Sequence, residues 1–442
     1  MLALRLSRSA HPAVQLRRLL VAAASAGTGF LLLCTLGHAL THPEASATSV
    51  LRLAWCVIPL AATVYFALAV ARTDPGTRPR PGLAAIGLGP VRLMAVSATT
   101  TALSTLLGSM LALLLFLHLR GDLTGMPFDG AAADFLAADA SLPLPATLTL
   151  LALVPLASSV SVALMLRPRD TRLAARAAAP KLFGTAGALR PGGTGTGRAT
   201  PGPRTGDDQV RAATDATDAP SASEAVPAAE PAATPESRIE RPDPTALPWG
   251  AALLAAGLAV EGYASRTATG ADVPLPTGLP TGPAAVLLGW TLTAVGLALA
   301  GPGLTHLCGR LLQAVRPGAL RLLAGRGLME ESARIGRPLG VVCAVASGAY
   351  TMAVLYDPSD PAFGPLTTLG ALVVAGSTVA TLVTAAVEAR QARAETTAAL
   401  LRLGAPTKTL RSAAALRTGA LLALFVPLTL VVAELAALPL AR

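Results

Sequence analysis

Nine runs of apolar residues punctuate the chain, at 19–40, 51–71, 93–119, 146–166, 247–265, 283–303, 338–356, 367–388 and 413–440. A helix rises 1.5 Å per residue, so about 20 residues cross the ~30 Å of a bilayer's hydrocarbon. Strands would be far shorter, and they span lipid only in closed barrels. The pattern therefore predicts an all-α membrane protein of about nine transmembrane helices. Composition agrees. Hydrophobic residues make up 52% of the 442 residues and charged residues only 14%, against about 25% charged in an ordinary soluble domain. Those values exclude a soluble globular enzyme, and also wholesale disorder, which needs low hydrophobicity.

The distribution of charge changes the picture more than its sum. A net charge of +10 in a soluble protein would point to nucleic acid. Here the cations lie between the apolar runs. With a cytoplasmic N-terminus, the inside segments are 1–18, 72–92, 167–246, 304–337 and 389–412, and they hold 30 of the 35 Lys and Arg. The outside loops 41–50, 120–145, 266–282 and 357–366 carry Arg120 and Arg266 as their only Lys or Arg, together with eight acids. This asymmetry obeys the positive-inside rule. It predicts a multi-pass protein of the plasma (inner) membrane, with its C-terminus outside, lipid around it and no nucleic-acid partner. The basic start, apolar run and Ala45-Ser46-Ala47 mimic a signal peptide. A core of about 22 residues exceeds the usual 7–15, so an uncleaved first span is expected.

Segment 167–246 breaks the apolar rhythm. It is rich in Pro, Gly, Thr, Ala and Asp, and its eleven basic and ten acidic residues nearly cancel. Such a composition buries too little apolar surface to offset the entropy of ordering. A disordered cytoplasmic linker is expected, as a tether between two membrane halves or as a docking segment. Around it the chain repeats. Leu83-Ala84-Ala85-Ile86-Gly87-Leu88-Gly89-Pro90 is similar to Ala398-Ala399-Leu400-Leu401-Arg402-Leu403-Gly404-Ala405. Both copies follow an inward-running span, sit in a basic segment and lead into an outward-running span. The second copy reads as a short amphipathic helix over Glu395–Leu403. Gly404 suits its C-cap, and Pro406 prevents its continuation.

These residues resemble the FtsX-like permeases of ABC transporters. The resemblance is carried by Glu388-Ala389-Arg390-Gln391-Ala392-Arg393-Ala394-Glu395 and Leu400-Leu401-Arg402-Leu403-Gly404-Ala405. Arg321-Leu322-Leu323-Ala324-Gly325-Arg326-Gly327-Leu328, ahead of the seventh span, is similar to the start of a repeat in that family. The layout is similar to two-repeat permeases of the bacitracin-resistance type. It implies a four-helix unit over 1–166, the linker 167–246, two intervening helices over 247–303 and a three-helix unit over 304–442. The resemblance also implies a cytosolic ATPase partner, in two copies, that docks on the repeated element. The implied contact residues are Glu395, Leu401, Arg402, Leu403 and Gly404, with Ile86, Leu88 and Gly89 in the first copy. Gly87 stands where Arg402 would be, so the first copy is degenerate. The large extracytoplasmic domain common in the family has no counterpart in the short loop 357–366, and the expected tenth span is absent. The alternative for 395–404 is an interfacial helix with Arg402 at lipid headgroups. Its recurrence in both halves favours coupling.

Chemistry of the chain's own is not indicated. The only lysines are Lys181 and Lys408, and neither completes a phosphate-binding Gly-x-x-x-x-Gly-Lys; Gly192-Gly193-Thr194-Gly195 lies in the linker. No metalloprotease or nucleophile-elbow motif is found. The chain is expected to be neither an enzyme nor a holder of a cofactor or metal. Cys34, His38 and His42 share a helix face, with His118 as a possible neighbour. Packing is the expected reading of that face, and metal binding the lesser alternative. The cysteines Cys34, Cys56, Cys308 and Cys343 imply no disulfide framework. Glu261 and Glu434, near the outer ends of spans, are expected to snorkel; a proton path through them would make the protein an ion-coupled carrier. A non-transporting membrane scaffold is the third reading. Gly108, Gly370 and Gly376 are expected at close helix crossings.

Overall fold

The computed structural model describes residues 12–73, 90–123, 129–133, 136–167, 246–267, 272–273, 282–314, 318–354 and 364–438. The helices are α1 (Pro12–Thr41), α2 (Ser46–Trp55), α3 (Val57–Thr73), α4 (Pro90–Arg120), α5 (Leu144–Leu166), α6 (Ala246–Thr267), α7 (Ala284–Ala314), α8 (Ala319–Val354), α9 (Pro365–Ala392), α10 (Ala394–Arg402) and α11 (Thr407–Ala437). A two-residue antiparallel pair, Asp272–Val273 with Gly282–Pro283, is the only strand structure among the described residues. Nine helical segments among those residues are long and apolar enough to cross a membrane, with α2–α3 and α9–α10 each counted as one. The linker segment, apart from Arg167 and Ala246, lies outside the described residues.

The helices overrun their apolar stretches at one end. α8 begins at Ala319, far ahead of the apolar run at 338, and α7 continues to Ala314. Backbone hydrogen bonding does not stop where hydrophobicity stops. α5, α7, α8 and α11 also run through Pro155, Pro302, Pro338 and Pro427, which helices packed among others in a bundle tolerate.

Helices α1, α3, α4 and α5 form one bundle. Its core joins Phe30, Leu33 and Cys34 of α1 to Ala112 and Phe116 of α4, Leu151 of α5 and Leu136 of the 129–143 loop. The Phe30 and Phe116 rings meet edge to face at 6.2 Å. Polar contacts thread the bundle. Ser25 Oγ donates to the Thr105 carbonyl at 2.7 Å, and the Thr28 and Thr63 hydroxyls bond at 2.9 Å. A Cβ on Gly108 would sit 2.2 Å from the Ala22 carbonyl, so α1 and α4 touch backbone to backbone there. Gly108 thus meets its expectation. Gly370 would meet only the Leu31 side chain of α1, at an ordinary 3.7 Å, and Gly376 has nothing within 4 Å; those two expectations fail because no neighbouring backbone comes close to either.

The tightest crossings lie elsewhere. α6 and α7 pair through Gly250, Gly257, Gly289 and Gly296, and α7 meets α8 through Gly301, Gly336 and Gly340. Without a hydrophobic force between helices in lipid, close backbone approach supplies the attraction. α8 also packs on α9 and α11, while α9 lies against α3 and α1. Large apolar side chains face outward along the spans, among them Leu107, Leu111, Leu148, Leu156, Leu372 and Leu422. In water such a surface would be an aggregation hazard; toward lipid it is the expected exterior.

Candidate functional site

The candidate site is the α9–α10–α11 turn. The apolar run of α9 gives way to Glu388-Ala389-Arg390-Gln391-Ala392-Arg393. Arg393 stays in a near-helical conformation (φ −87°, ψ −8°), so α10 continues close to the line of α9. Glu395 occupies the first turn of α10 and Arg402 the last, which suits the helix dipole at both ends. The two are seven residues apart, about 10 Å along one face. Gly404 then adopts φ +86°. Its N–H bonds to the Leu401 carbonyl at 3.1 Å and the Ala405 N–H to the Leu400 carbonyl at 3.0 Å. Those two bonds are a Schellman cap, which needs the left-handed residue that glycine supplies. Pro406 starts α11 at φ −67°. The helix, cap and restart all match their sequence expectation.

No residue of α10 is buried. Glu395, Leu401, Arg402, Leu403 and Gly404 are all exposed, Leu403 by 83%. The structure therefore groups these five at one projecting turn. Ile86, Leu88 and Gly89, the corresponding residues of the first copy, lie outside the described residues.

A charged cluster sits directly behind this turn. The Arg393 guanidinium reaches Glu331 of α8 at 2.5 Å and also donates to the Ala389 carbonyl at 3.1 Å. Glu331 is only 7% exposed. From α11, Arg417 lies against Gly327, where a Cβ would come within 2.6 Å of Nη1. Arg417 Nη1 is buried with no hydrogen-bond partner among the described residues. Sequence reading passed over Glu331. The available signal was that Glu330 and Glu331 are the only acids in the basic segment 304–337.

The two intramembrane carboxylates part company. Glu261 does not snorkel: it is fully buried where α6 crosses α7. Thr293 Oγ1 donates to its Oε1 at 3.1 Å, and Oε2 has no partner among the described residues. The glycines on both helices bring the backbones so close that the side chain has no route outward. Glu434 is exposed and accepts a 2.7 Å bond from Tyr350.

Of the Cys34 face, only Cys34 is packed in a core, while His38 is half-buried and His42 exposed. Cys34 lies in the α1–α4 core, His38 and His42 stack at 4.4 Å, and His118 faces Asp129 at 3.9 Å. Among the described residues no three metal-ligating side chains come together. All four cysteines are free and buried. Arg120, though on the outer-loop boundary, is buried and donates to the Ala138 and Ala140 carbonyls, beside Asp122 at 3.5 Å.

No protein family, curated protein or solved structure matches this chain.

Proposed function

We propose that the protein is the membrane permease subunit of an FtsX-like ABC system of the plasma membrane. A separate cytosolic ATPase, in two copies, drives substrate movement or a mechanical signal across the bilayer. The observation that carries this reading is the α10 turn. It offers Leu401 and Leu403 beside Glu395 and Arg402, all exposed, yet it is joined within a few residues to two long apolar helices. A free amphipathic helix on a rigid lever suits a partner that pushes.

A recurring arrangement supports the two-unit organisation. α1 packs on α3 and α4, as α8 packs on α9 and α11. In one set Ser25 donates to the Thr105 carbonyl of the parallel third helix; in the other Ser347 donates to the Thr429 carbonyl at 3.1 Å. The two sets meet through α3 and α9, their respective second helices. In such a layout a push on α10 would tilt α9 and α11, with Glu395 and Arg402 in polar contact and Leu401, Leu403 and Gly404 shaping the docking turn. Ile86, Leu88 and Gly89 would serve the second ATPase copy.

Purification in mild detergent with partner stoichiometry by mass spectrometry tests the proposal. A stoichiometric ATPase, lost when 395–404 is scrambled, is the expected result. Reproducible isolation of the intact chain with no ATPase would sink it. The alternative, an ion-coupled carrier, is favoured by one feature, the buried Glu261 with its unpartnered oxygen. Transport that needs a pH gradient and is lost in Glu261→Gln would select that alternative.

A further inference from the structure

We propose that Glu331 is a positioning residue for the projecting turn, holding both of its arms to α8 so that force on α10 enters the bundle there. The functional half of this statement rests on the reading of α10 as a docking element; the positional half does not.

A nine-residue helix with no buried residue, only Thr397 and Leu400 being half-buried, has little packing of its own to orient it, and an isolated helix of that length is unstable in water. Its direction must come from its two ends. At the first end Arg393, the hinge residue between α9 and α10, is paired with Glu331. At the second end the chain turns through Gly404 and Pro406 into α11, whose Arg417 lies in the gap left by Gly327. Gly327 and Glu331 are four residues apart on α8, hence on one helix face. One buried carboxylate is thus paired with the guanidinium of one arm and lies near enough to Arg417 of the other to interact with it electrostatically. Glu330 and Arg334 are the other charged groups acting on Glu331.

Arg417 Nη1 has no hydrogen bond among the described residues. Its charge is compensated by the nearby carboxylate and not by direct contact. Removing Glu331 leaves two arginines facing each other partly out of water, a costly arrangement. The other three-helix set has a polar tie between its first and second helices. Arg17, near the start of α1, donates to Thr73, the last residue of α3, at 3.3 Å.

Hydrogen exchange of the full chain in nanodiscs, read by mass spectrometry, tests the position. Glu331→Gln should speed exchange of amides in 393–404 and in the first turns of α11 by about tenfold or more. Arg393→Met should do the same for 393–404, and the double variant should add nothing, because both break one contact. Arg393→Lys should restore most of the protection, since it keeps the charge; a role in packing alone would not be rescued so. Unchanged exchange in both single variants, or additive effects in the double, would overturn the proposal. Should Glu331→Gln fail to fold, the Arg393 pair of variants decides alone, since that side chain is about one third exposed. With the ATPase present, Glu331→Gln should still bind it but lose most of the bilayer-dependent change in its hydrolysis rate. Faster exchange in a chain that recruits no ATPase would keep Glu331 as the positioning residue and discard only the docking reading.

Discussion

At the scale of single residues, burial separates side chains that look alike in the sequence. Glu261 and Glu434 both sit near the far ends of apolar runs. The first is sealed between α6 and α7 and the second is open, hydrogen-bonded to Tyr350. The sealed carboxyl has one donor, Thr293. Thr293→Val should therefore lower stability by about 1 kcal/mol, the usual worth of a hydrogen bond between membrane helices. Glu261→Lys places a cation beside a glycine backbone with no acidic partner, and should cost about 3 kcal/mol or more. Thermal unfolding in detergent measures both; a Glu261→Lys protein as stable as the parent would show that the site is not sealed. Glu331 makes the same point on the other side of the apolar stretch. Glu330 and Glu331 are the only acids in their basic segment, but which arginine Glu331 meets depends on helices distant in sequence.

At the scale of elements, the α10 turn was legible residue by residue. Glycine at the cap, proline two residues later and apolar spacing over 395–403 specify a helix, a left-handed turn and a restart. Gly404→Ala should cost about 1 kcal/mol for the strained φ and fray α10. Leu403→Asp, on a fully solvated position, should stay within about 0.5 kcal/mol of the parent. Stability and local exchange read together separate the two. Helix crossings were less legible. A small residue allows a close approach but does not say that a neighbour is there. Gly340 would place a Cβ 2.3 Å from the Leu297 carbonyl, whereas Gly376 has open space. Gly340→Leu should destabilise by about 3 kcal/mol through forced separation of α7 and α8, and Gly376→Ala should be neutral or slightly stabilising. Equal effects of the two substitutions would contradict the packing described.

At the scale of the whole molecule, the charge asymmetry predicts an orientation that labelling can check. All four native cysteines are buried, so a single cysteine introduced on the surface stands out. With an impermeant maleimide on intact cells, Asp122→Cys, at an exposed outer-loop position, should label at once, and Lys408→Cys only after the membrane is opened. The reverse pattern would invert the topology and place α10 away from any cytosolic partner. The sequence by itself determined the number and approximate limits of the apolar helices, because crossing lipid demands an unbroken apolar length, and that demand is local. It also determined the capped α10 turn, since a cap is settled by the residues within one helical turn. Only the tertiary structure decided which glycines touch, which carboxylate is sealed, and that Glu331 stands behind the turn between Arg393 and Arg417. Those properties depend on which faces of distant helices meet, and in a chain that is apolar almost all round its helices the pattern of residues leaves those faces unmarked.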